Sequence, residues 1–319
     1  IIQGVENCFR FEIAFMPGDT VEEIQKESVF RKYIDQWIGD NEVEFSRTAV
    51  YSFHAAAAER WSNGNIFLLG DAAHQMPPFM GQGMNSGCRD AENLLWKING
   101  VLKGHYKPKI LETYETERKP HVARITRAAI KMGGVINAKS KFKAFIRNAT
   151  LRIQGYFKGK ENVFPILNGN RLGQGVHNMP KIKDVSLERY YFNEISVRLN
   201  DGRIQSTDKI LGKNFGMILN DFEGNKKISD KYLEFLNKHN FKIINISNNH
   251  EQSNYDNYIA CEDTHSDMQI YCDKYDCNAV ILRPDKYVFD IFNFETDNVD
   301  EIVSSVIKSL QDTALFTPN

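Results

Sequence analysis

The sequence predicts an α/β protein of about two domains, and three observations predict it. The chain has 319 residues, room for two cores at roughly 100–200 residues per domain. Residues 66–70, IFLLG, are a short apolar run followed by a Gly-rich loop and then by a helical pattern, which is the strand–loop–helix order of an α/β layer. Near the C-terminal end, FGMILND and FKIINIS read as strands with SDKYLEFLNKHN as a helix between them. AVILRPDKYVFDIF then reads as a hairpin turning at Pro284-Asp285.

Taken in order, Phe9, Phe11, Ile13 and Phe15 alternate with polar or small residues, the period of a half-buried strand that Pro17-Gly18 closes. Residues 20–38 suit a helix, with Thr20 as N-cap and Glu22-Glu23 complementing its dipole. A second strand is expected from about Val43 to Phe53. IFLLG suits a strand buried on both faces. In the helix that follows, Cys88, Ala91, Leu95, Ile98 and Leu102 fall at steps of three and four and predict one buried stripe, with Gly104 as the stop. Pro108 fits the first turn of a further helix running to about Met132, which Pro120 is expected to kink or split. Residues 135–180 are basic and irregular and read as connector and docking surface. A last helix is expected from Val299 to Leu310. The order strand, helix, strand, hairpin, helix is that of a thioredoxin-like domain. The resulting division is 1–60, a strand-and-helix region; 61–135, the strand–loop–helix region; 136–185, a connector; and 186–319, the thioredoxin-like domain.

Hydrophobic residues at 42% and charged residues at 25% are ordinary for a globular protein, and a net charge of -1 gives no reason to expect nucleic acid or an anionic membrane as partner. No apolar run approaches the ~20 residues of a membrane span. The five cysteines form no CxxC pair and no zinc spacing, which points to reduced thiols and a cytoplasmic location. The chain opens Ile1-Ile2-Gln3 and reads as a fragment.

The chemistry lies in GNIFLLGDAAHQMPPFMGQGMNSGCRDAENLLWKI, residues 64–98. Gly70 and Asp71 end a strand, where open α/β sheets place their ligands, and a carboxylate there can accept hydrogen bonds from vicinal hydroxyls. Ala72 and Ala73 let a large ligand approach. Pro77-Pro78 stiffens the loop. Gly81-Gln82-Gly83-Met84-Asn85 opens a helix whose free amides favour negative charge. A polyol with an anionic far end fits, as in reduced flavin. A plain strand–turn–helix with Asp71 as a cap or turn residue fits the same pattern.

This segment closely resembles the second flavin motif, GDAAH...PP...GQGxNxGxxDAxNLxWKL, of the FAD-dependent aromatic hydroxylases of the para-hydroxybenzoate hydroxylase superfamily. YETERKP, residues 114–120, is similar to that family's YxxER-P helix. RFEIAFMPGDTVEE, the joint GVHNMPKIKDVSLERYYFNEIS and the terminal NAVILRPDKYVFDI resemble the same group, nearest to its 3-(3-hydroxyphenyl)propionate and phenol hydroxylases. The resemblance implies an α/β fold made of the C-terminal part of a flavin-monooxygenase FAD and substrate domain, followed by the thioredoxin-like domain. Residues 1–60 become a remnant of the substrate-binding sheet, and 61–135 the C-terminal half of the FAD domain. Asp71 then matches the ribityl-hydroxyl ligand, with Gly70 before it. Met84 and Asn85 match the backbone donors to the flavin O2/N1 edge, and Gly81, Gln82 and Gly83 shape that approach. Pro78 matches the proline beside the isoalloxazine where oxygen reacts, and Pro78 and Gln82 are the implied catalytic-site residues.

The implied reaction hydroxylates a phenolic ring with NAD(P)H and O2 through a C4a-hydroperoxyflavin. FAD is the cofactor and a homodimer is compatible with the family. The ring substrate and the choice of NADH or NADPH stay open. The family's GxGxxG nucleotide unit, its central DG segment and any CxxC are absent. The alternatives are therefore a remnant that binds no FAD alone, or another flavoenzyme sharing the GD motif, such as an epoxidase, halogenase or reductase. His74 reads as ordering the loop, His54 as a partly buried polar residue, Cys272 and Cys277 as solvated rather than metal-binding, and the basic stretch Lys131–Lys160 as a solvated face.

Overall fold

The computed structural model describes residues 1–5, 8–15, 18–39, 43–138, 140–158, 172, 191–220, 228–247, 256–294 and 298–312. The first part of the chain holds only short strands. β1 (Ile2–Gln3) pairs antiparallel with β2 (Phe9–Arg10). α1 (Val21–Ile24) and α2 (Glu27–Ile38) follow. Thr20 caps α1 as its sequence predicts, accepting from the Glu23 N–H at 3.3 Å, but the helix expected over 20–38 is broken at Gln25-Lys26. The half-buried strand expected over 9–15 is reduced to β2, with Phe9 and Phe15 exposed, and residues 43–53 form no strand. Alternation alone does not make a strand: among the described residues these segments find no packed face and almost no ladder partner.

β3 (Ala56–Ala57), β4 (Ser62–Asn63), β5 (Ile66–Phe67) and β6 (His74–Gln75) make two small antiparallel pairs, β3 with β6 and β4 with β5. The doubly buried strand expected at IFLLG is thus corrected to one arm of a hairpin, and Ile66 is 69% exposed. Burial on both faces needs a wider sheet covered on both sides, and among the described residues β5 pairs with β4 alone.

Three helices carry the middle of the chain. α3 (Gln82–Leu102) ends before Gly104, whose φ of 72° is the left-handed conformation a glycine stop requires. A 3₁₀ turn, Pro108–Glu112, leads into α4 (Thr113–Ile136), which contains Pro120 without ending there and runs past Met132. α5 (Lys141–Lys158) is helical where an irregular connector was expected; the rest of that stretch, and most of the joint sequence before Tyr191, lie outside the described residues. α3 also corrects the expected stripe. Cys88, Leu95 and Leu102 are exposed, and its buried face is Ser86, Asp90, Asn93, Leu94, Trp96, Lys97 and Gly100.

The C-terminal part is a mixed seven-stranded sheet in the order β13-β12-β9-β10-β11-β7-β8. Its strands are β7 (Ser196–Leu199), β8 (Ile204–Ser206), β9 (Gly216–Asn220), β10 (Lys242–Ile246), β11 (Tyr258–Asp263), β12 (Ala279–Leu282) and β13 (Val288–Phe292). Its helices are α6 (Thr207–Leu211), α7 (Asp230–Lys238), α8 (Asp267–Tyr275) and α9 (Val299–Asp312). β9, β10 and β11 run parallel, and the remaining pairs are antiparallel. The expected strands, the α7 helix, the hairpin and the last helix are all present. Side chains alternate between two cores: Met217 and Leu219 of β9 face the core that α7 and α9 cover, while Ile218 faces Leu211, Met268 and Cys272. Trp96 of α3 and Ile110 join the first of these cores, so the middle helices and the sheet share apolar packing. No helix among the described residues is long and apolar enough to cross a membrane.

Candidate functional site

Gly70 and Asp71 open a 3₁₀ turn, Gly70–Ala72, closed by the Ala73 N–H donating to Gly70 O at 2.9 Å. Gly70 has φ 58°, a conformation that costs a side chain dearly and a glycine little. It also touches α3: a Cβ placed on Gly87 would lie 3.2 Å from the Gly70 Cα. The Asp71 turn therefore sits directly on the second turn of α3, and Asp71 itself is exposed with no hydrogen bond or ion pair among the described residues.

The loop returns to α3 through Pro77, Pro78 and a second 3₁₀ turn, Phe79–Gly81. Phe79 is seated on α4, its ring filling the place where a Cβ on Gly133 would stand, 2.3 Å away. Gly81, with φ 62°, precedes α3, whose first amides have no side-chain cap. Pro78, Gly81, Met84 and Asn85 are exposed, Met84 at 79%, and Gln82 and Gly83 are half-buried. Asn85 Nδ2 donates to Gly81 O at 3.0 Å, and Gln82 Oε1 accepts from Arg89 at 3.3 Å. The structure brings all eight sequence-predicted site residues onto one loop and the helix start it leads into. A cavity of about 230 Å³ opens elsewhere, between α3 and the C-terminal hairpin, lined by Arg89, Glu92, Tyr191, Asp285 and Tyr287.

Beneath this surface lie two buried polar clusters that sequence reasoning missed. In the first, Asp90 accepts from the Gly70 N–H at 3.1 Å and from Arg118 Nε at 2.8 Å, and lies 2.7 Å from His74 Nε2. Burial works to raise the Asp90 pKa, but the His74 hydrogen bond and the Arg118 charge outweigh it and hold it below the usual carboxylate value. His74 is buried and stacks on Trp61 at 5.2 Å between ring centroids. In the second cluster, Glu117 of α4 accepts from Lys97 and Asn93 of α3 and from Arg283, which also binds Asp285. Asn93 Nδ2 donates to Asp285 at 3.0 Å, so the hairpin corner closes onto α3. The signal was present as Ser86, Asp90, Asn93 and Lys97, polar residues at helical spacing that ordinarily mark a solvated face.

Other expectations change. His54 is exposed rather than partly buried, and Cys272 and Cys277 are buried in the sheet core rather than solvated. No group of metal ligands occurs among the described residues.

Residues 7–129 match the FAD binding domain family, and residues 191–308 match the HcaD C-terminal domain family. The 3-(3-hydroxy-phenyl)propionate/3-hydroxycinnamic acid hydroxylase of Burkholderia cenocepacia is 28% identical over 290 residues, 88% of this chain and 54% of the relative. The chain is thus similar to a named aromatic hydroxylase along most of its length, with an FAD binding domain match in its first part. The enzyme of the same name from Escherichia coli K12 is 27% identical over 297 residues, 88% of this chain and 52% of its own length. The chain thus spans about half the length of the curated relatives it matches. In fold it is similar to CabE, an aromatic hydroxylase from angucycline biosynthesis (TM-score 0.62, 17% identity, 98% of this chain and 56% of that one). It is also similar to the flavin-dependent monooxygenase PieE, solved with FAD and substrate (TM-score 0.60, 19% identity, 92% and 56%).

Proposed function

We propose that this chain supplies the flavin-ring half of the FAD site of a monooxygenase that hydroxylates a phenolic ring, with NAD(P)H and O2 as co-substrates. The observation that carries the reading is the seating of the Asp71 turn on the second turn of α3, a helix whose first amides have no side-chain cap, with the Asp71 carboxylate unpaired among the described residues. That donor and acceptor set fits a flavin. Asp71 would accept hydrogen bonds from the ribityl hydroxyls, and the Met84 and Asn85 amides would donate to the electron-rich O2/N1 edge. Pro78, with no N–H of its own, would line the ring face, and Gly81 and Gly83 keep the approach free of side chains. Gln82, held by Arg89, would face the reacting side. The bound flavin supplies the redox and oxygen-transfer chemistry, and the protein supplies position, charge stabilisation and exclusion of water.

Substrate class follows from the relatives, whose names specify hydroxyphenyl acids. The C-terminal sheet is read as thioredoxin-like because β9-α7-β10 is followed by the β12–β13 hairpin and α9, with order β13-β12-β9-β10. Lacking CxxC, it carries no dithiol–disulfide chemistry of that motif. A cytoplasmic location and a homodimer complete the reading.

The test is a titration of the purified chain with FAD, followed by quenching of flavin fluorescence. Saturable binding is expected, and Asp71→Ala is expected to weaken it about tenfold to a hundredfold, the worth of one hydrogen bond to a charged group at about 1.5–3 kcal/mol. Melting temperature should hold, because Asp71 is exposed. Equal affinity in the variant would remove Asp71 from the site. The missing GxGxxG favours a second reading, in which the chain alone takes up no FAD; a colourless protein that quenches no flavin would favour it.

A further inference from the structure

Asp71 is exposed and makes no bond of its own, so something else must hold its carboxylate in place. The structure offers one group placed to do so. Asp90 is fully buried two turns into α3, and its oxygens are divided between two tasks. Oδ2 takes the backbone N–H of Gly70 at 3.1 Å and lies 2.7 Å from His74 Nε2, one residue before Asp71 and three after it. Oδ1 takes Arg118 Nε at 2.8 Å, and Arg118 also donates to Ser86 O at 3.3 Å and contacts His121. One carboxylate thus brackets the turn that bears Asp71 and is itself anchored to α4. Gly87, three residues earlier on the same helix, sets the separation, since even a methyl group there would meet the Gly70 Cα at 3.2 Å.

We propose that Asp90 is the positioning residue of this site, fixing with Gly87 where the Asp71 carboxylate stands relative to the amides that open α3. The proposal rests on the flavin reading above for what Asp71 binds, but not for the clamp itself. Asp90 is fully buried beneath the turn and acts through it. A purely structural role, as counter-charge to Arg118, would tie it to stability alone. A positioning role ties it to the turn and, through the turn, to affinity.

Two variants of the full chain separate these roles. Asp90→Asn removes the charge that holds Gly70, His74 and Arg118 together. Gly87→Ala leaves every charge in place and puts a good helix former inside α3, yet crowds the Gly70 Cα so that the turn must shift by a few tenths of an ångström. Amide hydrogen exchange at residues 70–74, melting temperature and FAD affinity are measured for both. Asp90→Asn is expected to speed Gly70 exchange at least tenfold and to weaken FAD binding at least tenfold. Gly87→Ala is expected to speed the same amides and weaken FAD at least threefold with no fall in melting temperature. Gly70 exchange unchanged in Gly87→Ala overturns the proposal, and so does wild-type FAD affinity in that variant; the test stands even if Asp90→Asn does not fold. Should wild type itself take up no FAD, the flavin reading fails. The exchange arm then decides alone: faster Gly70 exchange in Gly87→Ala upholds the clamp, and unchanged exchange overturns it.

Discussion

Residues 1–158 and residues 191–312 solve the problem of burial differently. The C-terminal sheet packs on both faces, with two continuous cores and strands such as β9 and β12 almost wholly buried. The first region does not. Of the 25 exposed large hydrophobic residues among those described, only Ile204 and Ile270 belong to the C-terminal part. The other 23 lie between Ile1 and Tyr156, including Phe9, Trp37, Tyr51, Met84 and Tyr156. What the first region buries is a small apolar cluster of Trp61, Ala73, Leu94, Tyr114 and Val122, with the polar Asp90 and Glu117 clusters beside it. The lesson is that its helices are located by directional charge pairing and by their attachment to the sheet as well as by a small apolar core of their own.

The sharpest way to break this comparison is at the joint. Arg283→Met leaves Glu117 and Asp285 buried without their shared cation, and losing one partner of a buried pair costs about 3–5 kcal/mol. Urea unfolding should show that loss, and hydrogen exchange should place it in α3 and α4 before the central strands of the sheet. Uniform loosening of both regions would contradict the contrast drawn here. A smaller effect is expected at the apolar side of the same joint. Trp96 of α3 meets Tyr106 and Phe215 edge-on at 5.6 Å each, and a Cβ on Gly100 would fall 1.8 Å from the Tyr106 ring. Gly100→Ala should therefore cost about 1–3 kcal/mol through overpacking, read as a lowered melting temperature.

The smallest effect sharpens the polar side. Burial pushes the Lys97 ammonium down to about 8 from 10.5, against the pull of Glu117. The unfolded chain keeps that proton up to the ordinary value, so between about pH 8 and 10.5 the unfolded state binds more protons and this group makes stability rise with pH. Comparing urea midpoints at the two ends of that window, the rise in wild type should exceed that in Lys97→Met. An equal rise in both would mean that Lys97 does not carry it.

The contrast also explains what could be read from sequence. β9, β10 and the β12–β13 hairpin were legible because each is an apolar run whose partners lie within the same region. β7, β8 and β11 were missed because they are short or end in charged residues, as in YIACED. In the first region, the alternation from Phe9 to Phe15 and the run IFLLG carried strand patterns without ladder partners among the described residues, so pattern and structure parted. The site loop was legible because glycines, prolines and Asp71 act locally. Asp90 and Glu117 were not, because a charge on a helix reads as solvated until its partners, here up to 166 residues away, are known.

The corner at Arg283-Pro284-Asp285 has an evolutionary corollary. Each side of the joint brings one cation and one anion, Lys97 with Glu117 and Arg283 with Asp285, so each is electrically neutral yet incomplete in hydrogen bonds. Exchanging the terminal module for an unrelated one would strand the helix pair, whereas grafting it together with those four residues would not.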